Sequence, residues 1–161
     1  MIKPIVYIET TIPSFYVETR PEPDMIARRQ WTREWWDNHR SFYEVVTSEA
    51  VLDELEQGDY PNKADALAFI EPIPLLSIVP EIGEIIDAYI RYKVMHRDPV
   101  GDALHLAIAS YHKCDFLLTW NCNHLANANK FRHIRRVNTL LGLYVPALVT
   151  PLELIVEAED A

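Results

Sequence analysis

Glycine is scarce in this chain, with only Gly58, Gly83, Gly101 and Gly142 present. No GxGxxG, and no GxxxxGK followed by Ser or Thr, can be built from them, which removes the usual dinucleotide and triphosphate cradles. A GxSxG nucleophile elbow is absent too. The two cysteines, Cys114 and Cys122, have no CxxC spacing, and no HExxH helix exists to hold zinc. Long apolar runs are missing. The opening MIKPIVYIET is interrupted at Glu9, too early for a signal-peptide core, and no run approaches the ~18 residues a membrane helix needs. These features predict a cytoplasmic protein with reduced thiols and no membrane contact. Positive charge is also short, with 15 Lys and Arg against 24 Asp and Glu and a net charge of −9. That counts against binding nucleic acid through a large basic field. It leaves room for a metal-dependent nuclease, in which clustered acids collect cations.

What is present fits one domain over residues 1–161, with 49% hydrophobic and 24% charged residues and no repeat or linker. Ile5, Val6, Tyr7 and Ile8 read as a buried strand, after which Pro13, Pro21 and Pro23 break the chain. A helix is predicted over 24–40, capped by Asp24, and a strand over 43–47. Ser48 caps a helix over 49–57 that Gly58 ends, and a short helix follows with Pro61 in its first turn. A strand over 75–79 and helices over 82–95 and 99–113 come next, the last capped by Asp98 and Pro99. A strand over 115–119, a helix over 130–141 closed by Gly142, a strand over 147–149 and a helix opened by Pro151 complete the chain. Such alternation implies a parallel sheet with helices on both faces.

Acids stand in telling places. Glu9 directly follows the first strand, where ligands bind in open parallel sheets, although a solvated turn residue would look the same. Asn121 follows strand FLLT in the same way, within the polar stretch TWNCNH. It is either a ligand or water holder through its amide, or a helix cap like Asn123. Asp102 lies in the first turn of a largely apolar helix, where an ionised acid needs a partner charge or a metal. Asp98, four residues earlier, would repel it unless a cation intervenes. Glu54 flanks the Val51, Leu52 and Leu55 stripe and is hard to separate from Glu49, Asp53 and Glu56 by spacing alone. His105, three residues after Asp102, reads either as a transition-metal ligand or as a hydrogen-bonded, half-buried histidine. His124 is placed to contact a phosphate or water.

Two basic stretches remain. Lys130, Arg132, His133, Arg135 and Arg136 form one. Arg28, Arg29, Arg33 and Arg40 form another beside Trp31, Trp35 and Trp36. Tryptophans at helical spacing usually fill cores, yet cations beside aromatics also hold single-stranded RNA.

Taken together, YIETTIPSFY, TREWW, SEAVLDELEQGD, GDALHLAIA, LLTWNCNHLAN and TPLEL resemble the PIN domain, in order and over nearly the whole chain. The likeness is greatest to the VapC-type toxins of bacterial and archaeal toxin–antitoxin pairs. The resemblance implies a three-layer α/β/α domain around a mainly parallel sheet of four to five strands. It implies a Mg²⁺-dependent endoribonuclease, with Mn²⁺ as an alternative ion, a cognate antitoxin as partner, RNA as substrate and homodimers as a common assembly. The catalytic set falls on Glu9, Glu54, Asp102 and Asn121, with Glu9, Asp102 and Glu54 as metal ligands. Glu9 stands where the family usually has Asp, and Asn121 at a position that is commonly Asp, leaving three formal carboxylates. Thr10, Ser48, Thr119 and His124 are positioning candidates, and Arg132, Arg135 and Arg136 are candidates for RNA or partner contact. Two other readings share these residues: a PIN-like binding module without catalysis, and a small metal-dependent phosphohydrolase.

Overall fold

The computed structural model describes residues 2–95 and 100–155. Five strands form one sheet, namely β1 (Ile5–Ile8), β2 (Glu44–Ser48), β3 (Leu75–Leu76), β4 (Phe116–Leu118) and β5 (Ala147–Val149). They run in the order β3-β2-β1-β4-β5, and every pairing is parallel. β1 takes the centre because its residues can be covered on both faces. Val6, Tyr7 and Ile8 are all fully buried, as a strand inside a parallel sheet requires. Tyr7 pairs with Val46 on one side and Leu117 on the other. The chain lays down β2 and β3 on one side of β1 and β4 and β5 on the other. The boundary between β1 and β4 is therefore the topological switch point, where ligands gather at the carboxyl ends.

Among the described residues seven α-helices pack around this sheet in a three-layer α/β/α arrangement. They are α1 (Thr11–Tyr16), α2 (Pro23–Glu34), α3 (Glu49–Gln57), α4 (Lys63–Ile70), α5 (Pro80–Arg91), α6 (Val100–Tyr111) and α7 (Ala128–Leu140). α1 packs on α2 and α4, α3 on α4, and α5 on α6.

Several local features depart from the sequence expectations. The sequence pattern does not predict α1, because Pro13 reads as a breaker. Pro13 sits in the helix's first turn, where its missing N–H has no intrahelical partner to lose. α2 begins one residue early, with Glu22 rather than Asp24 at the cap and Pro23 at the first helical position. It then gives way to a π-turn over Trp35–His39 and a 3-10 turn over Arg40–Phe42. Ser48 does cap α3 by position, but its hydroxyl does not bond the helix. Gly58 ends α3 in an extended conformation, not a left-handed one. Pro61 precedes α4 rather than opening it, and Asn62, with φ 66°, turns the chain in. β3 is two residues long, and α5 starts at Pro80 and stops at Arg91. Asn127 caps α7 by accepting from the Asn129 amide, and Gly142 closes it with φ +70°. Pro151 opens a 3-10 turn over Pro151–Leu154. The Asp98–Pro99 cap and the end of the expected terminal helix lie outside the described residues.

Candidate active site

Glu9 leaves the end of β1 and turns inward. It is only 4% exposed, which is unusual for a carboxylate. Three donors converge on its Oε2: the Thr11 hydroxyl at 2.6 Å, the Thr11 backbone N–H at 3.1 Å and the Thr119 hydroxyl at 2.7 Å. No hydrogen bond to Oε1 occurs among the described residues, so one oxygen is anchored and the other is left for a ligand. Thr119 directly follows β4, and its backbone neighbours fix the same corner. Trp120 N–H donates to the Thr11 hydroxyl at 2.8 Å, and Asn121 N–H donates to the Thr119 hydroxyl at 2.9 Å. Burial pushes the Glu9 carboxyl above the usual carboxylate range, against the pull of His105 and the threonine hydroxyls.

Glu54 reaches this corner from α3. Its Oε1 lies 2.8 Å from His105 Nε2, and its Oε2 accepts the Thr10 hydroxyl at 2.6 Å. Gly101 makes room for it, since a Cβ there would stand 2.8 Å from Glu54 Oε1. His105 is buried on α6, with Nδ1 2.7 Å from the Tyr7 hydroxyl, which in turn lies 2.7 Å from Ser48 Oγ. Burial alone would lower the His105 pKa. The hydrogen bond to Glu54 and the charges of Glu9, Glu54 and Asp102 outweigh it and hold it above the ordinary imidazole value. Burial works to raise Glu54 as well, but His105 and Thr10 prevail and keep it low. Tyr7, pushed far up by burial, remains a neutral hydroxyl. His105 is thus the partner that lets Glu9 and Glu54 share a corner of the core.

Asp102, in the first turn of α6, is half-buried and raised by burial, with His124 and Asn121 pulling the other way. The Asn121 amide donates to Asp102 Oδ1 at 2.9 Å. The Asn121 carbonyl oxygen accepts from the backbone of Asn123 at 3.2 Å and His124 at 3.0 Å, so it closes its own loop. His124 Nδ1 lies 3.3 Å from Lys130 Nζ at the start of α7. Arg132, Arg135 and Arg136 are exposed along that helix.

All four acids and amides singled out from the sequence therefore lie at the switch point; Thr10, Thr119 and His124 each touch one of them directly, and Ser48 reaches Glu54 through Tyr7 and His105. The tightest cluster differs in one member. Glu9, Glu54 and His105 offer ligand atoms that all lie within 4.8 Å of one another, whereas Asp102 is not among these three. Octahedral ligands about 2.1 Å from a Mg²⁺ ion stand about 3–4 Å apart, so this spacing suits a small divalent cation. The two oxygens match a hard ion, and the imidazole extends the fit to Mn²⁺ and its heavier neighbours. Sequence reasoning left His105 as either ligand or buried structural residue, and missed Thr11 and Tyr7. The available signals were i, i+3 spacing from Asp102 for His105 and i, i+2 spacing from Glu9 for Tyr7 and Thr11.

A family model for the PIN domain matches residues 6–131, a span that contains Glu9, Glu54, Asp102, His105 and Asn121. No curated protein and no solved structure matches the chain.

Proposed function

Since the chain belongs to the PIN domain family, we propose that it hydrolyses RNA phosphodiester bonds as a metal-dependent endoribonuclease. The family supports nuclease chemistry on nucleic acid. The observation that carries the reading is the convergence of Glu9, Glu54 and His105 at the sheet's switch point, with ligand atoms within 4.8 Å of one another. Glu9 and Glu54 would hold Mg²⁺ or Mn²⁺, with Asp102 as the further acid. Bound there, the cation would polarise a phosphoryl oxygen and make a water more acidic. The protein's own part is to place the groups around it. Thr11 and Thr119 hold Glu9 by one oxygen, and Thr10 and His105 hold Glu54. The Asn121 amide orients Asp102, whose Oδ2 has no hydrogen bond among the described residues. That oxygen is available to take a proton from an attacking water, a task that a raised carboxylate pKa favours.

The resemblance of YIETTIPSFY, GDALHLAIA and LLTWNCNHLAN supports a finer reading. In it the chain is the toxin of a type II toxin–antitoxin pair, acting in the cytoplasm, held by a cognate antitoxin and assembling as a homodimer. No helix among the described residues is long and apolar enough to cross a membrane. A PIN-like module without catalysis is disfavoured by Glu9. Glu9 and Glu54 bring two carboxylates within 4.8 Å of each other, an arrangement that a bound cation offsets and a scaffold without one does not need.

Purified protein incubated with mixed cellular RNA and Mg²⁺ or Mn²⁺ tests the reading. Discrete fragments, lost with EDTA and in Asp102→Asn, are expected. Intact RNA in the presence of bound metal would sink it, and faster turnover of a small phosphoester than of RNA would favour a phosphohydrolase.

A further inference from the structure

Beside the acids, α2 carries an aromatic arrangement that the metal chemistry does not use. Trp31 is 37% exposed. Its ring stacks on Trp120, with centroids 6.1 Å apart and planes 25° apart. Trp120 is nearly buried, braced edge-on by Phe15 and by an indole N–H bond of 2.8 Å to the Thr32 hydroxyl. The guanidinium of Arg28 lies over both Phe15 and Trp120, at 5.5 and 5.6 Å. The other arginines of this stretch are committed. Arg29 and Arg33 donate to the carbonyls of Glu18 and Tyr16, and Arg40 covers Trp36. Among the described residues the Arg28 guanidinium makes no hydrogen bond, and its ring contacts are with Phe15 and Trp120.

The platform is tied to the acidic corner. Trp120 follows Thr119 directly, its N–H donates to the Thr11 hydroxyl at 2.8 Å, and that hydroxyl donates to Glu9 Oε2 at 2.6 Å. A core would have buried Trp31, as it buries Trp35. Here Trp120 supplies the rigid underside and Trp31 presents the surface. An exposed indole on a braced aromatic, with a guanidinium held nearby by ring contacts, is the chemistry that stacks unpaired bases and meets their phosphates. The net charge of −9 makes such a site more needed, because stacking does not depend on an attractive field.

We propose that Trp31 and Arg28 form a nucleobase-stacking subsite, which holds one unpaired base of single-stranded RNA next to the scissile phosphate. The proposal rests on the ribonuclease reading for its position in the reaction but not for binding itself. The full chain carrying Asp102→Asn, to stop cleavage, is titrated with a fluorescein-labelled single-stranded oligoribonucleotide in Mg²⁺. Adding Trp31→Ala should weaken binding by roughly tenfold or more, while Trp31→Phe keeps most of the affinity. The same sequence as a duplex should bind weakly and respond to neither change. In the cleaving protein, Trp31→Ala should raise KM more than it lowers kcat. A thermal melt shows that each variant is folded.

Equal affinity and KM for Trp31→Ala and its parent overturn the subsite and leave the ribonuclease reading intact. Trp31-dependent binding by a parent that never cleaves keeps the subsite and sinks the ribonuclease. Loss of binding that follows loss of a dimer in sedimentation marks the face as a protein interface and overturns the proposal. A parent that neither binds nor cleaves RNA overturns both.

Discussion

Glu9 shows how one residue can be both a liability and a tool. Its carboxylate is buried and its pKa is raised, so at neutral pH the charged form costs stability that a cation would restore. Glu9→Gln keeps an acceptor for Thr11 and Thr119 but removes the charge. Without metal its melting temperature should therefore equal or exceed that of the parent, while the stabilisation that Mn²⁺ gives the parent disappears and RNA cleavage falls below detection. A large drop in the metal-free melting temperature would show that Glu9 is structural instead. Gly101 makes a complementary case. A methyl there would meet Glu54 Oε1 at 2.8 Å, so Glu54 must move off His105. Gly101→Ala should stay folded, since the about 0.5–1 kcal/mol by which a helix favours alanine over glycine offsets part of the lost Glu54–His105 contact. Cleavage should fall, by up to about a hundredfold for a displacement of about 1 Å. Normal cleavage in a folded Gly101→Ala protein would remove Glu54 from the active set.

Elements were legible in the sequence where one signal dominated. IVYI, EAVLDELEQ and ALV became β1, α3 and β5 with the expected bounds. α1 was hidden because the same proline that breaks a helix interior suits its first turn. Trp31 and Trp35, four residues apart on what reads as one core stripe, part company, with Trp35 fully buried and Trp31 exposed at the surface. Polar ties between elements left no trace in the pattern. Tyr89 of α5 donates to Asn138 of α7 at 2.7 Å, and its hydroxyl lies 3.2 Å from that of Ser110 of α6, joining three helices in the core. Burial raises Tyr89 from 10.0 to about 12, and raises Cys114, between α6 and β4, from 9.0 to about 12. Both are neutral acids in the fold, and the unfolded chain releases their protons first. The stability they contribute is complete below about pH 9 and declines as pH climbs toward 12. Urea midpoints should be level from neutral pH to about 9 and fall above it, and the fall should be smaller in Tyr89→Phe measured against its own neutral midpoint. An equal fall in that variant would assign the alkaline loss to other groups.

At the scale of the molecule, the site exists because a parallel sheet reverses its strand order beside β1. That reversal brings together Glu9, Glu54, Asp102 and Asn121 from four distant stretches of chain. The family resemblance marked these four, but spacing could not show which atoms meet. His105 entered the tight cluster in place of Asp102, and Asn121 turned its oxygen to its own loop. Charge sets the remaining constraint. With a net charge of −9, attraction for RNA has to be local. The exposed Arg132, Arg135 and Arg136 lie on α7, whose Lys130 reaches His124, and His124 acts on Asp102. A strand leaving the acids along α7 would meet them. If all three contact phosphates, they contribute about 2 to the slope of log affinity against log salt, since each contact on a single strand adds about 0.7. Replacing the three with glutamine should make binding of a single-stranded oligoribonucleotide weaker at low salt and flatten that slope by about 2, at fixed Mg²⁺. An unchanged slope would take these arginines off the RNA path and leave them to a protein partner.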